Sequence, residues 1–273
     1  MKKLKIGIVG CGAIGSSLAG VIVKEFKREA KLCALFDIDN NKARRLSKKL
    51  SGRPGLATDN RKQLLGKSGL IIEASSAKVS WDIAKEVLSA GKDAMIMSVG
   101  GLAGRFIQLT ALAKSKRAKV YIPSGALCGI DGLKAANTER INRVILTTIK
   151  NPISFKGVKY IEDKGINLNK IKKDTVLFSG KAAAAVKYFP QNINVAAVLS
   201  LAGIGLNKTR VRIIASPKVT RNIHEVRVES IAGNITTRTE NVLHPANPKT
   251  SYLAVLSAIA VLKQILHPIE IGT

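Results

Sequence analysis

The stretch of residues 4–15 constrains the fold of this chain more than any other. An apolar run ends at glycines spaced Gly-x-Gly-x-x-Gly, and a pattern of helical period follows at once. The first glycine permits a sharp turn, the second lets backbone approach a phosphate, and the third lets a helix pack closely on a strand. The stretch therefore predicts a strand, a turn and a helix N-terminus that bind a dinucleotide pyrophosphate. The predicted contacts are Gly10, Gly12, Ala13, Ile14 and Gly15.

The glycine spacing alone has low specificity, and a tight turn without a ligand is the alternative. An acidic residue strengthens the ligand hypothesis: a short apolar run ends in Asp37, 22 residues beyond Gly15. A carboxylate at about this spacing binds the ribose hydroxyls of an adenosine. Asp37 favours NAD, whereas a neighbouring group of polar and basic residues would tolerate the 2′-phosphate of NADP. That group comprises Asn40, Asn41, Lys42, Arg44 and Arg45. The sequence predicts NAD or NADP.

Apolar strands alternate with helical patterns as far as residue 123. This alternation predicts a Rossmann-type doubly wound parallel sheet with helices on both faces. Ligands of such sheets lie beyond the carboxyl ends of the strands, where this chain carries small residues. Among them we expect Ser75 to contact the cofactor, and ordinary turn chemistry is the alternative.

The pattern changes after residue 140. Strands are predicted at 140–150 and 175–178, and three more follow one another at about 208–215, 219–229 and 234–240. Successive strands without long helices predict a mostly antiparallel sheet, hence an α+β domain. Helix-start signals at 247–251 precede a last helix that we expect to return to the first domain. The predicted limits are 1–123 with 247–273 for the dinucleotide-binding domain, and 124–246 for a catalytic domain.

The formal net charge of +27 is the most unusual bulk property. Basic proteins bind nucleic acids by releasing counterions. Here, however, lysine and arginine are scattered along the chain, and aromatic residues, which stack on bases, make up only 4%. We therefore expect no nucleic-acid partner. The positive charge would either attract acidic substrates and phosphorylated cofactors toward the protein, or it would reflect a proteome that is basic as a whole.

Three unpatterned cysteines, Cys11, Cys33 and Cys128, suit a reducing compartment, so we expect a cytoplasmic protein. No signal-peptide pattern and no apolar run of membrane-spanning length occur in the sequence, and zinc-ligand spacing is absent. We therefore predict neither a membrane partner nor a metal site.

One histidine has a pattern that suggests chemistry. In the strand near 219–229, alternation places His224 with Val226 and Val228 on the apolar face. An inward-facing ring either forms its hydrogen bonds within the core or lines a cleft, where a neutral imidazole is a good general base.

Two asparagines, Asn192 and Asn194, would either bind a nicotinamide carboxamide or cap a helix. A nucleophilic role for Cys128 is a further option, against the usual role of buried cysteine as filler.

These features together resemble the L-aspartate dehydrogenase family over nearly the whole chain. The motifs are Gly10-Cys11-Gly12-Ala13-Ile14-Gly15, Ser98-Val99-Gly100-Gly101-Leu102, Pro123-Ser124-Gly125-Ala126 with Gly129-Ile130-Asp131, Phe189-Pro190-Gln191-Asn192-Ile193-Asn194-Val195-Ala196-Ala197, His224, and Asn247-Pro248-Lys249-Thr250-Ser251. The first is shared by many dehydrogenases. The motifs that begin at Phe189 and Asn247 are far more specific.

The resemblance implies an enzyme that uses NAD or NADP, that is typically a homodimer, and that can feed iminoaspartate into pyridine nucleotide biosynthesis. It implies His224 as the catalytic acid and base, and Ala126 with Asn192 or Asn194 as cofactor contacts. Hydride would leave the aspartate α-carbon, and water addition would give oxaloacetate and ammonia.

Because aspartate carries two carboxylates, cations must line the pocket, and Lys150, Lys181 and Lys249 are the candidates. The chain departs from the family at one place: Ile149 occupies the position between Thr148 and Lys150 where the family commonly has arginine. If that arginine holds a substrate carboxylate or an oligomer contact, this chain must do so otherwise.

Two alternatives belong beside this hypothesis. One is a related two-domain dehydrogenase that acts on homoserine or a dihydrodipicolinate-like substrate. The other, from a different class, is a non-catalytic regulator that senses NAD and binds nucleic acid. Substrate-dependent reduction of NAD(P) separates both from the main hypothesis.

Overall fold

The structure, a computed structural model, describes residues 3–52, 54–189, 193–245 and 247–272. The chain forms two compact units, Met1–Pro123 with Val255–Glu270, and Ser124–Ala254 with Ile271–Thr273. Each unit is built around its own five-stranded sheet. No helix among the described ranges is long and apolar enough to cross a membrane.

A parallel sheet forms the centre of the first unit. Its strands are β1 (Leu4–Val9), β2 (Ala30–Phe36), β3 (Leu70–Glu73), β4 (Asp93–Ile96) and β5 (Val120–Tyr121). They lie in the order β2-β1-β3-β4-β5, and every neighbouring pair is parallel. The winding direction reverses between β1 and β3, which is where sheets of this kind bind ligands.

Helices cover both faces of that sheet. They are α1 (Ala13–Lys24), α2 (Asn40–Ser51), α3 (Arg61–Lys67), α4 (Ser80–Ser89) and α5 (Phe106–Lys116). Leu18 of α1 and Ala43 of α2 share a buried cluster with Ile6 on one face. Leu64 of α3 shares another with Ile71 on the opposite face. The predicted Rossmann-type doubly wound sheet is confirmed.

The second unit contains a mostly antiparallel sheet, as predicted. Its strands are β6 (Ile141–Lys150), β7 (Thr175–Lys181), β8 (Arg210–Ala215), β9 (Asn222–Ser230) and β10 (Gly233–Asn241). Their order is β10-β9-β6-β8-β7, and only β6 and β8 run parallel. The helices of this unit are α6 (Ile130–Ala136), α7 (Lys159–Asp163), α8 (Ala182–Tyr188) and α9 (Ile193–Ala202).

The two faces of this second sheet differ in burial. Val144, Leu146 and Val226 alternate onto the inner face, where they join a core that contains Phe155 and Phe189. Their neighbours in sequence lie on what we call the outer face, which is largely half-buried to exposed and carries ion pairs. The outer face includes the half-buried or exposed residues Arg143, Ile145, Thr147, Ile149, Glu225, Arg227, Glu229, Arg238 and Glu240, together with Ile223, which is buried.

The segment before the last helix is itself a strand. Residues 247–251 are a strand, β12 (Asn247–Ser251), which pairs with β11 (Leu243–His244), and helix α10 (Tyr252–Leu266) begins only after it. Because of this pairing, residues 247–254 group with the second unit rather than the first. From Val255 onward the helix packs into the core of the first unit, through Ala258 and Leu262.

Candidate active site

The glycine turn after β1 is shaped by close backbone contacts. Gly10 has φ +97°, which L side chains rarely adopt. A Cβ at Gly10 would lie 2.5 Å from the carbonyl oxygen of Ala74, and one at Gly15 would lie 1.9 Å from that of Gly10. Gly12, by contrast, has open space around the position of a Cβ and precedes the first residues of α1, Ala13 and Ile14. These three positions have the geometry that a pyrophosphate cradle requires.

Asp37 joins the end of β2 to this turn. Its Oδ2 accepts a hydrogen bond from the backbone N–H of Cys11 at 2.7 Å, and its Oδ1 accepts one from that of Asp39 at 2.9 Å. The carboxylate is half-buried and held beside the glycine turn. Lys42 and Arg44 lie on α2, with exposed side chains. The first unit therefore offers a turn and a carboxylate that fit a dinucleotide.

Ser75 lies two residues beyond β3, at the carboxyl edge of the parallel sheet. Its backbone N–H and its hydroxyl both donate to Oε1 of Glu73, at 2.7 and 2.6 Å. The side chain of Ser75 is solvent-exposed at the edge where ligands of such sheets bind.

His224 lies on the inner face of β9, as the alternation predicted, and is only 4% exposed. Its Nδ1 is 3.1 Å from the hydroxyl oxygen of Thr148, its cross-strand neighbour on β6. Burial, reinforced by the positive charge of Lys150, lowers the pKa of His224 to about 3. The imidazole is therefore neutral near pH 7.

Lys150 ends β6 two residues beyond Thr148, so both side chains project from the same face of the strand. Lys150 is 7% exposed, and burial lowers its pKa to about 8. A buried cation and a neutral imidazole thus share one end of the sheet.

The other candidate cations are placed differently. Lys181 is exposed and pairs with Arg210, at the opposite end of the sheet from Ala215, the partner of Lys150. The separation along the strands is five residues, about 16 Å at 3.3 Å per residue. The side chain of Lys249 lies outside the described part of the structure.

Three residues of β10 hold the loop that contains Ala126. The hydroxyl of Thr239 and the amide of Asn241 donate to the carbonyl oxygen of Ala126, at 3.0 and 3.2 Å, and the hydroxyl of Thr237 donates to that of Cys128 at 3.2 Å. Thr239 is also the cross-strand neighbour of His224. Ala126 is therefore fixed next to the strand that carries the histidine.

Sequence reasoning missed Thr148, Thr239 and Asn241 as members of this cluster. Alternation on β10 gave no signal, because residues 236–241 are all polar and the two faces look alike in the sequence. Their partners depend on the strand pairing, which the sequence does not give.

The remaining predicted residues are less well placed. Asn194 lies exposed in the first turn of α9, and Asn192 lies outside the described residues. Ile149 lies on the outer face, opposite Thr148 and Lys150, so the departure from the family pattern does not alter the His224 cluster. Within the described ranges, no group of histidine, cysteine and acidic residues could hold a metal ion.

Acid should destabilise this protein through His224. Its pKa is about 3 in the folded state against the ordinary value of 6.5, so the unfolded chain binds more protons between these values. The contribution of this pKa difference to the free energy of unfolding is fully present above pH 6.5. It decreases as the pH drops, and at pH 5 it is smaller by about 2 kcal/mol. Urea unfolding at pH 7 and at pH 5 should show that the free energy of unfolding decreases less for His224→Gln than for the wild type. The exposed His267→Gln is the control, and equal losses in all three proteins would contradict the assignment.

Comparison with known proteins relates this arrangement to one family. The model described as "Aspartate dehydrogenase, C-terminal" matches residues 131–265, and the model "Homoserine dehydrogenase, NAD binding domain" matches residues 10–123. The crystal structure of an aspartate dehydrogenase from Thermotoga maritima superposes with a TM-score of 0.76 at 26% identity, covering 99% of this chain and 100% of that one.

Curated sequences agree over the full length. An L-aspartate dehydrogenase of Methanosarcina barkeri is 46% identical over 272 residues, which cover 99% of this chain and 100% of that protein. Another from Nitrosopumilus maritimus is 39% identical over 98% of this chain and 99% of its own length. These matches confirm the resemblance that the motifs suggested, and the chain belongs to the L-aspartate dehydrogenase family.

Proposed function

We propose that this protein catalyses the NAD(P)-dependent oxidative deamination of L-aspartate to iminoaspartate, which water converts to oxaloacetate and ammonia, or the reverse amination. The observation that carries the proposal is the buried pair of His224 and Lys150 at one end of the second sheet, in a chain whose relatives are named L-aspartate dehydrogenases. The first unit binds the cofactor, and the second carries the chemistry.

His224 acts as acid and base in this proposal. The amine of aspartate must lose a proton before hydride leaves the α-carbon, and a neutral imidazole can accept it. The hydroxyl of Thr148, 3.1 Å from Nδ1, can rotate to donate or to accept. It therefore supports either tautomer, so Nε2 can take up a proton and return it when water adds to iminoaspartate.

Lys150 binds a carboxylate of the substrate. The substrate carries two carboxylates, and a cation in a poorly solvated site forms strong charge-assisted hydrogen bonds with them. The charge of Lys150 disfavours protonation of His224 in the free protein. A bound carboxylate would offset that charge, so substrate binding would prepare His224 to accept a proton.

NAD or NADP supplies the hydride acceptor when bound. The glycine turn and Asp37 support this part of the proposal. Because the carboxylate of Asp37 is fixed beside the turn by Cys11 and Asp39, it would repel a 2′-phosphate, and we infer that NAD binds more tightly than NADP. The product iminoaspartate would serve pyridine nucleotide biosynthesis. The free cysteines suit a reducing, cytoplasmic location.

The decisive experiment measures NADH and NADPH absorbance after addition of aspartate, homoserine or a dihydrodipicolinate precursor. We expect reduction with aspartate alone, faster with NAD. His224→Ala should lower kcat by a factor of about 10² or more and leave the Kd for NADH within a factor of two. The exposed His267→Ala is the control. Turnover of homoserine instead of aspartate would overturn the proposal, and salt-sensitive DNA binding without turnover would favour a regulator.

Lys150→Met should raise the KM for aspartate by about tenfold or more, because the substrate carboxylate loses its charged donor. The Kd for NADH should not change. Lys181→Met, at the far end of the sheet, should leave both values unchanged and is the matched control. In the wild type, KM should also rise above about pH 8, where Lys150 loses its charge. An unchanged KM in Lys150→Met would exclude Lys150 as a substrate ligand.

We further propose a homodimer that forms through the outer face of the second sheet. This face carries charges of both signs, such as Arg238 with Glu225 and Arg143 with Glu229, beside the half-exposed Ile145 and Ile149. A mixed apolar and charged sheet face of this kind can be complementary to a second copy of itself.

Light scattering should give a mass of twice 29.1 kDa for the wild type. Ile145→Lys should shift the mass toward the single-chain value, because it replaces an apolar outer-face side chain with a cation beside Arg227. Ile153→Lys, an exposed isoleucine elsewhere in the same unit, should remain dimeric. A monomeric wild type would end this part of the proposal, and a dimeric Ile145→Lys would place the contact elsewhere.

A further inference from the structure

Glu73 is a fully buried carboxylate at the carboxyl end of β3. A carboxylate is costly to bury unless hydrogen bonds compensate for the lost water. Glu73 accepts three: Oε1 accepts from the backbone N–H and the hydroxyl of Ser75, and Oε2 accepts from the backbone N–H of Ser98 at 3.0 Å. Both oxygens are therefore used, each by a different loop.

The loop after β4 is held from a second side as well. The hydroxyl of Ser80, at the start of α4, donates to the carbonyl oxygen of Ser98 at 2.9 Å. Ser80, like Glu73, is fully buried. Both backbone polar groups of Ser98 are thus fixed by buried side chains that belong to β3 and α4.

The two loops also touch through their backbones. A Cβ at Gly101, in the loop after β4, would lie 2.1 Å from the carbonyl oxygen of Ala77 in the loop after β3. A Cβ at Gly10 would lie 2.8 Å from the backbone nitrogen of Ser75. Three loops, those after β1, β3 and β4, therefore meet around the residues that Glu73 fixes.

We propose that Glu73 is a positioning residue that holds the loops after β3 and β4 in the arrangement that binds the dinucleotide. The inference rests on the proposed function of the first unit as the NAD(P)-binding unit. A carboxylate suits this task better than its amide, because it presents only acceptors to donors that come from two sides. A glutamine would turn an NH₂ group toward either Ser75 or Ser98, and one of the loops would have to move.

The test compares Glu73→Gln with Glu86→Gln, whose side chain lies on α4 and forms an ion pair with Arg61 of α3. NADH binding is titrated well below the Tm, with the fluorescence of Trp81 or by calorimetry. We expect the Kd for NADH to rise by about tenfold in Glu73→Gln, as for one hydrogen bond lost to a charged group, and to stay constant in Glu86→Gln.

A second variant allows the same test if Glu73→Gln folds poorly. Ser80→Ala removes only the bond to the carbonyl oxygen of Ser98 and should raise the Kd for NADH about threefold, the effect of one neutral hydrogen bond. If Glu73→Gln folds with a lowered Tm and an unchanged Kd, or if Ser80→Ala does so where Glu73→Gln does not fold, Glu73 is only structural and the inference is overturned. Absence of NADH binding in the wild type would instead overturn the proposed function, which separates the two failures.

Discussion

The first unit depends on the close approach of three backbone segments at the glycine turn. The helix that follows the turn packs against the carbonyl oxygen of Gly10, and Gly10 packs against the peptide between Ala74 and Ser75. Side chains at Gly10 or Gly15 would separate these segments by more than the packing of the sheet permits. This contact brings the start of α1 and the loop after β3 together at the carboxyl edge of the parallel sheet.

The second unit depends on a different constraint, the placement of polar groups in an apolar environment. His224, Lys150, Asn222 and Asn241 are all buried near one end of the sheet. Such groups reduce stability unless they are bonded, and the core of the same unit consists of aliphatic and aromatic residues. Their concentration at one end is typical of a reaction site, where stability is given up for chemistry. The overall charge of +27 adds a long-range attraction for a substrate with two carboxylates.

The sequence predicted what depends on local periodicity. Alternation placed His224 on the buried face of its strand, and glycine spacing located the turn before α1, because both are properties of single segments. Periodicity could not identify the residues beside His224, because Thr148 and Thr239 lie next to it through strand pairing. They are 76 and 15 residues away in the sequence. The strand at 247–251 was not predicted for a similar reason. Proline and hydroxyl residues are helix-start signals, and α10 begins directly after them at Tyr252, but these signals do not show the pairing with β11.

Strand β6 contributes side chains to both the inner and the outer face of the second sheet. Thr148 and Lys150 lie on the inner face and Ile149 on the outer, so a slip of one residue would put isoleucine on the face that carries His224 and lysine on the outer face. The strand is fixed against such a slip by an antiparallel partner on one side and a parallel partner on the other. A change at position 149 therefore leaves the inner face of β6 unchanged, whereas an insertion of one residue within β6 would exchange the two faces for the residues that follow it.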